Sequence, residues 1–226
     1  MHQPSITLKG ITWNHTRGFT SMVATAQRFH ELHPEVKIEW SKRSLQAFAD
    51  EPIDQLAQRY DLLVIDHPWT GFAARTGVIQ PLNDLMPEGL LENLAANSVG
   101  KSHERYSYNN QQRALAFDAA TPVAASRLDL LRNYGYELPR IWDNLLALAE
   151  SGIVAIPGIP QDTLMSFYML CSTLGEDVCT TSDYVVSEKI GSQALGMLRE
   201  LGKNINQECF NWNPIQVYEA MSSGDD

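Results

Sequence analysis

Three short segments of this sequence combine aromatic, cationic, amide and carboxylate side chains, and each follows a stretch with the pattern of a β-strand. They are residues 13–19, 41–45 and 66–71, with the sequences WNHTRGF, SKRSL and DHPWTG. Aromatic rings stack on the apolar faces of sugars, and planar polar side chains hydrogen-bond to hydroxyl groups. The three segments therefore predict a site for a polyhydroxylated or otherwise polar small molecule. The alternative is that Trp13 and Trp69 are packing residues and that the charges are solvated loop ends.

The first strand pattern contains a change of phase. Ile6 and Leu8 alternate with polar residues, and after Gly10 the alternation shifts to Ile11 and Trp13. Such a shift at a glycine is typical of a bulged strand or of a close backbone approach.

The stretches that follow alternate between helix and strand patterns. Apolar residues recur at helical spacing over 19–33, alternate over 36–40, and recur at helical spacing again over 45–60. The continuous apolar run 62–65 is typical of a central parallel strand covered on both faces. The order predicts a βαβαβ unit and an α/β fold, in which ligands bind at the carboxyl ends of the strands.

The second half of the chain has mostly helical patterns. A short buried strand is predicted at 153–156. The predicted helices cover 123–134, 142–150, 162–174, 184–202 and 214–223.

Charge and hydropathy exclude several classes of protein. The 226 residues include 17 basic and 27 acidic side chains, a net charge of −10. This charge argues against nucleic-acid binding and against adhesion to an anionic membrane. No apolar run reaches the roughly 20 residues of a membrane span. The charge is uneven, at −1 over residues 1–113 and −9 over 114–226, which indicates two structural units with a boundary near residue 114.

Other motif-like strings carry less weight. Cys171, Cys179 and Cys209 have loose spacing, so buried reduced thiols are favoured over a Cys171–Cys179 bridge. No phosphate-binding loop, serine-hydrolase elbow or metal-ligand set is complete. Asp66 and His67 could form an acid/base pair, but adjacent residues at a strand end usually point in different directions.

Several strings together resemble the extracellular solute-binding proteins of bacterial ABC transporters, specifically the carbohydrate-type family 1 with a type II periplasmic-binding fold. The resemblance runs through essentially the whole chain. It rests on the strings ITLKGITWNHTRGF, VKIEWSKRSLQAFAD, YDLLVIDHPWTG, ALAFDAATPVAASRLDLL and LPRIWDNLLALAES.

The resemblance implies where the site and the hinge lie. It implies an N-terminal lobe at 1–113, a hinge crossover at 114–119 through Ala116, Phe117 and Asp118, and a helix-rich second lobe at 120–226. Tyr168, Trp212 and Tyr218 are candidate contributors from that lobe, although a core position is favoured for each. The ligand-binding positions that it implies are Trp13, Asn14, His15, Arg17, Gly18, Arg43, Ser44, Leu45, Asp66, His67 and Trp69.

The implied function is non-catalytic. The resemblance implies that a small polar solute, a carbohydrate or sugar derivative, is bound by closure of two lobes and delivered to an ABC permease, with the full-length protein a monomer. No cofactor, metal or nucleic acid is expected. Family members are longer, so we expect the C-terminal return segments to be missing here and the first lobe to be incomplete.

The implied location is periplasmic or facing the cell exterior. The sequence begins without the pattern of a secretory signal, so a cytoplasmic location stays open. Two other functions stay open with it: a cytosolic ligand-sensing module on the same fold, and an enzyme that uses Asp66, His67 or Asp118 as a base.

Overall fold

The computed structural model describes residues 6–223, and the chain divides into two units, Met1–Ala120 and Thr121–Asp226. In the first unit the elements run in the order β1 (Ile6–Trp13), α1 (Thr16–Leu32), β2 (Val36–Arg43), α2 (Leu45–Asp50), α3 (Ile53–Ala57), β3 (Leu62–Leu63), a 3-10 turn (His67–Trp69), α4 (Thr70–Thr76), α5 (Leu90–Asn97), a second 3-10 turn (Glu104–Tyr106), β4 (Ser107–Tyr108) and β5 (Gln111–Gln112). In the second unit they are α6 (Leu128–Asn133), α7 (Trp142–Glu150), α8 (Pro160–Thr173), α9 (Glu188–Asn204), a 3-10 turn (Gln207–Asn211) and α10 (Pro214–Ser223).

A three-stranded parallel sheet organises the first unit, in the order β2-β1-β3. β1 pairs with β2 along its whole length, from Ile6 opposite Val36 to Trp13 opposite Arg43. The predicted βαβαβ unit is confirmed. The prediction that the run 62–65 is the central strand is wrong, because β1 is central and β3 lies at the edge of the described sheet. A continuous apolar run indicates only that both faces of a strand are buried. Helices can cover both faces of an edge strand as well as those of a central one.

Gly10 is needed for close packing and not for a bulge. The pairing of β1 with β2 is continuous through Gly10, which lies opposite Trp40. A Cβ at Gly10 would lie 2.5 Å from the Trp40 ring. Of the two interpretations that the sequence left open, the close approach is therefore the one observed.

The core of the first unit lies between the sheet and α3 and α4. Its buried residues are Ile11, Ile53, Leu56, Ile65 and Ala73. This core fixes the position of β3 and of the chain that leaves it, because Ile65 is one of its members.

Every regular element among the described residues of the second unit, 121–223, is a helix. The strand predicted at 153–156 is wrong: no strand forms there, and Ile153 is 47% exposed. Val154 and Ile156 instead pack against the core between α7 and α9, where no partner strand is present among the described residues. The helix predicted over 123–134 is shorter and begins at Leu128, and the exposed Val123 lies in the irregular segment before it.

The three cysteines are free. Cys171 and Cys209 are buried, as predicted, whereas Cys179 is exposed in a turn where its φ is 56°. No helix among residues 6–223 is both long and apolar enough to cross a membrane.

Candidate functional site

The sheet brings the three predicted segments to one edge. The backbone N–H of Asn14 donates to the Arg43 carbonyl (2.7 Å), and the N–H of Val64 donates to the Ile11 carbonyl (2.9 Å). Because all three strands are parallel, their carboxyl ends and the residues after them lie side by side.

Trp13 lies beneath this edge and not on its surface. Only 6% of the residue is exposed. The His15 ring stacks on it at 4.8 Å with an interplanar angle of 3°, and the Phe48 ring lies 6.0 Å away. Its position matches the packing alternative, since its own neighbours cover the indole.

Gly18 allows α1 to approach this indole. A Cβ at Gly18 would lie 2.1 Å from Trp13 Nε1. The buried Thr12 hydroxyl, in β1, donates to the Gly18 carbonyl at 2.8 Å and so also links β1 to the start of α1. Gly18 is therefore a packing residue that fixes the first loop.

The residues between β1 and α1 are more accessible. His15 is the N-cap of α1, and its Nδ1 accepts a hydrogen bond from the Arg17 backbone N–H at 3.2 Å. Asn14 and Arg17 are exposed. An open cavity of about 360 Å³ lies beside them, lined by Asn14, His15, Thr16, Phe19, Thr20 and Lys42.

Arg17 joins the first loop to Asp118. Its Nη2 lies 2.5 Å from Asp118 Oδ2, and the side chains are 47% and 31% exposed. The Arg17 guanidinium also lies 5.5 Å from the Trp13 ring centroid. A cation and a carboxylate are thus presented together at the edge.

The second segment makes mainly structural contacts, although Ser41, Lys42 and Ser44 are exposed. Arg43 is buried, and its Nη2 donates to the Val64 carbonyl at 3.0 Å. Burial lowers the pKa of Arg43, and the nearby Glu51 carboxylate partly offsets this effect. The Ser44 hydroxyl accepts from the Ala47 N–H as the N-cap of α2, and Leu45 begins that helix half-buried. These roles are structural in the described conformation.

The third segment keeps a carboxylate at the surface. Asp66 Oδ1 accepts from the His67 backbone N–H at 2.9 Å and lies 3.4 Å from His67 Nδ1. The hydrogen bond from the His67 side chain lowers the pKa of Asp66, against the opposing effect of burial. Trp69 is half-buried and packs edge-on against Phe72, with ring centroids 5.8 Å apart.

Tyr106 is a residue of this edge that the sequence did not single out. Its hydroxyl donates to the Ile65 carbonyl at 3.2 Å. Burial, with the negative charges of Asp66 and Asp118, raises the pKa of Tyr106 to about 12. Nothing local marks this tyrosine, because it lies about 40 residues from β3 and is brought there only by the tertiary fold.

The family follows from comparison with known proteins. The family model for bacterial extracellular solute-binding proteins matches residues 12–169. The chain belongs to this family. No curated protein sequence matches it.

Solved structures with the same fold cover almost the whole chain. Maltose-bound MalE3 from T. maritima is 18% identical with a TM-score of 0.72, and the match covers 97% of this chain and 59% of that one. A solute-binding protein from Agrobacterium radiobacter K84 in complex with ribitol is 18% identical with a TM-score of 0.69. That match covers 98% of this chain and 59% of the other. An ABC substrate-binding protein from Listeria monocytogenes in complex with cycloalternan is 13% identical with a TM-score of 0.70. That match covers 96% of this chain and 59% of the other.

These matches confirm the predicted fold class, an α/β fold of the type II periplasmic-binding proteins. The chain spans under two thirds of the length of each of the three structures.

The remaining candidate residues of this solute-binding family member lie elsewhere. Ala116 and Phe117, of the predicted hinge, have no regular secondary structure, and Phe117 is 44% exposed. In the second unit Trp212 packs against the core formed with α7 and α9, while Tyr218 is half exposed on α10. Burial raises the pKa of Tyr168, with a smaller contribution from Cys179.

Among residues 6–223, no group of three His, Cys, Asp or Glu side chains is placed to hold a metal ion.

Proposed function

We propose that this protein binds a small polar solute of the carbohydrate type, without changing it chemically, for delivery to an ABC importer. Membership of the solute-binding family supports the binding role. Solved structures of the same fold hold maltose, ribitol and cycloalternan, which supports a polyhydroxylated ligand.

The observation that carries the proposal is the set of accessible polar groups at the carboxyl ends of the parallel strands. Asp66, His67, Arg17 and Asp118 present two carboxylates, a guanidinium and an imidazole there, with side chains that are 31–50% exposed. Ionised carboxylates accept hydrogen bonds from hydroxyl groups, and guanidinium groups donate to their oxygens. Charge-assisted bonds of this kind suit a ligand rich in hydroxyls.

Direct contact with the solute is assigned to the accessible members of the predicted set. These are Asn14, His15, Arg17, Asp66, His67 and the half-buried Trp69, and Asp118 joins them. Trp13, Gly18, Arg43 and Leu45 support them from beneath, and Ser44, although exposed, is occupied as the N-cap of α2. Micromolar affinity corresponds to about −8 kcal/mol, which several such hydrogen bonds and one aromatic contact can supply.

The state of Asp66 favours binding over acid/base catalysis. A general base works best when its pKa is near the working pH, which for a carboxylate requires a raised pKa. The pKa of Asp66 is lowered instead. Its carboxylate stays ionised near neutral pH and serves as a hydrogen-bond acceptor.

The wider role of the protein belongs to the same proposal. Lobes at 1–113 and 120–226 would close on the solute about a hinge at 114–119, because the closed form gains contacts that the open form lacks. The closed monomer would then dock on a permease at the outer face of the membrane.

Isothermal titration calorimetry against maltose, ribitol and cycloalternan tests the proposal. We expect micromolar binding of at least one of them, weakened about tenfold or more by Asp66→Asn and by Asp118→Asn, because each substitution removes a charged acceptor. Asp84→Asn is the matched control, since Asp84 is an exposed carboxylate in a turn before α5. Absence of heat with every sugar and polyol, or equal losses in all three variants, would contradict the proposal.

A further inference from the structure

The chain that carries Asp66 leaves the sheet early. β3 pairs with β1 over only Leu62 and Leu63. Val64 and Ile65 follow as buried residues, 7% and 6% exposed, and Asp66 comes directly after them. Buried carbonyl groups need hydrogen-bond partners, so the ones beyond the ladder must be satisfied in another way.

Two side chains supply these partners. The Arg43 guanidinium, from the end of β2, donates to the Val64 carbonyl at 3.0 Å. The Tyr106 hydroxyl, from the turn before β4, donates to the Ile65 carbonyl at 3.2 Å. Carbonyls of successive residues in an extended strand point to opposite edges, so Arg43 and Tyr106 hold the strand end from its two sides.

Arg43 is itself firmly held. Its Nη1 lies 3.3 Å from the Ala47 carbonyl and 3.5 Å from Glu51 Oε2, and the guanidinium lies 5.1 Å from the Phe48 ring centroid. Tyr106 packs against the core cluster that contains Ile65 and lies in the field of two carboxylates. Both donors are therefore fixed before any solute arrives.

We propose that Tyr106 is a positioning residue of the solute site, which together with Arg43 sets the direction in which Asp66 projects from the end of β3. The inference rests on the proposed function in one respect, that Asp66 contacts the solute. Tyr106 acts through the Ile65 carbonyl and does not itself touch the ligand. Its neutral hydroxyl is the donor, and burial moves its pKa further above the physiological range.

The test removes one hydroxyl group. Tyr106→Phe deletes the donor to Ile65 and keeps the ring. Tyr60→Phe is the matched control, because Tyr60 is half-buried against the same core cluster and its hydroxyl makes no hydrogen bond within the described part of the chain. The measurement is the hydrogen-exchange rate of the His67 backbone amide, followed by NMR, because this amide donates to Asp66 Oδ1.

We expect the His67 amide to exchange about tenfold faster in Tyr106→Phe and at the wild-type rate in Tyr60→Phe, as a local loss of structure predicts. An unchanged rate in Tyr106→Phe would overturn the inference. So would equal acceleration of His67 and of core amides such as Ile11, because general destabilisation moves every protected amide together. This measurement needs no solute, so its outcome is separate from the titrations that test the proposed function.

A double-mutant cycle then links position to binding. Using the sugar or polyol that the wild type binds most tightly among maltose, ribitol and cycloalternan, we expect Tyr106→Phe to weaken binding about tenfold. In the Asp66→Asn background, Tyr106→Phe should cause little further loss of affinity, because the charged acceptor that Tyr106 positions is already removed. Equal losses in both backgrounds would show that Tyr106 acts independently of Asp66 and would overturn the inference.

Discussion

Burial decides what each charged side chain at the strand ends does. Arg17 lies four residues after β1 and Arg43 ends β2, yet Arg17 is half-exposed beside Asp118 and Arg43 is buried against the Val64 carbonyl. The two Nη atoms of Arg43 donate to the Ala47 and Val64 carbonyls, so Arg43 is committed to structure. Arg17 retains accessible donors for a solute.

Gly18 is the residue whose substitution tests the packing beneath the site. Gly18→Ala places a Cβ about 2.1 Å from Trp13 Nε1, so the indole or α1 must move. Overpacking of this kind costs about 1–3 kcal/mol, and we expect a loss of that size in the free energy of unfolding, measured by urea denaturation.

Gly71→Ala is the control for that measurement. Gly71 lies in α4 of the same unit, and its new Cβ would meet Tyr108 at an ordinary 3.7 Å. Alanine also favours helix over glycine, so stability should be unchanged or slightly increased. A Gly18→Ala protein as stable as Gly71→Ala would contradict the packing role.

Asp66 gives the site a predictable acid dependence. Its pKa is lower in the folded protein than in the unfolded chain, so its contribution to stability is present above about pH 4 and is lost as the pH falls through the lower, folded value. As the pH is lowered below about 4, we expect the free energy of unfolding to decrease more in the wild type than in Asp66→Asn. Urea denaturation at a series of pH values measures the difference, and parallel profiles would contradict the prediction.

At the scale of elements, α2 and β3 are joined through Arg43. Its guanidinium contacts Ala47 and Glu51 on the α2 side and Val64 beyond β3. Short elements such as these, of six and two residues, have little stability of their own and depend on such tertiary contacts.

Arg43→Met tests this connection. It leaves the Val64 and Ala47 carbonyls without that donor, and we expect a loss of about 1–3 kcal/mol in unfolding free energy. Arg59→Met is the control, because Arg59 also pairs with Glu51 but is 53% exposed, and exposed pairs contribute about 1 kcal/mol or less. Equal losses of unfolding free energy in the two variants would show that the buried contacts of Arg43 stabilise the protein no more than an exposed ion pair does.

At the scale of the whole molecule, charge limits the class of partner. The net charge of −10 includes −9 from residues 114–226. Binding to nucleic acid depends on cationic side chains that displace counterions from phosphates, and this chain has an excess of acidic groups. The same excess is compatible with a neutral solute, whose binding depends on local hydrogen bonds.

We expect no measurable binding of duplex DNA at physiological salt. Fluorescence anisotropy with a labelled duplex checks this, and a basic DNA-binding protein of similar size is the positive control. Salt-dependent binding in the micromolar range would contradict the prediction, because it would require a basic face that the charge pattern does not indicate.

Periodicity in the sequence was sufficient to predict the βαβαβ order, α1 and most of the later helices, because burial on one face imposes a repeat that local residues record. It failed where local pattern and tertiary contact diverge. Residues 153–156 have the composition of a strand but no strand beside them in the described structure, and 123–127 have an apolar residue that remains exposed.

The sequence by itself determined that three polar segments follow three parallel strands, since strand order and loop composition are both local properties. Only the tertiary structure decided which of those residues face solvent. Trp13 and Arg43 turn inward and Asp66 and Arg17 remain accessible, while Tyr106 and Asp118 join the edge from distant parts of the chain. The physical reason is that side-chain direction at a strand end depends on what packs against it, and those neighbours are not adjacent in sequence.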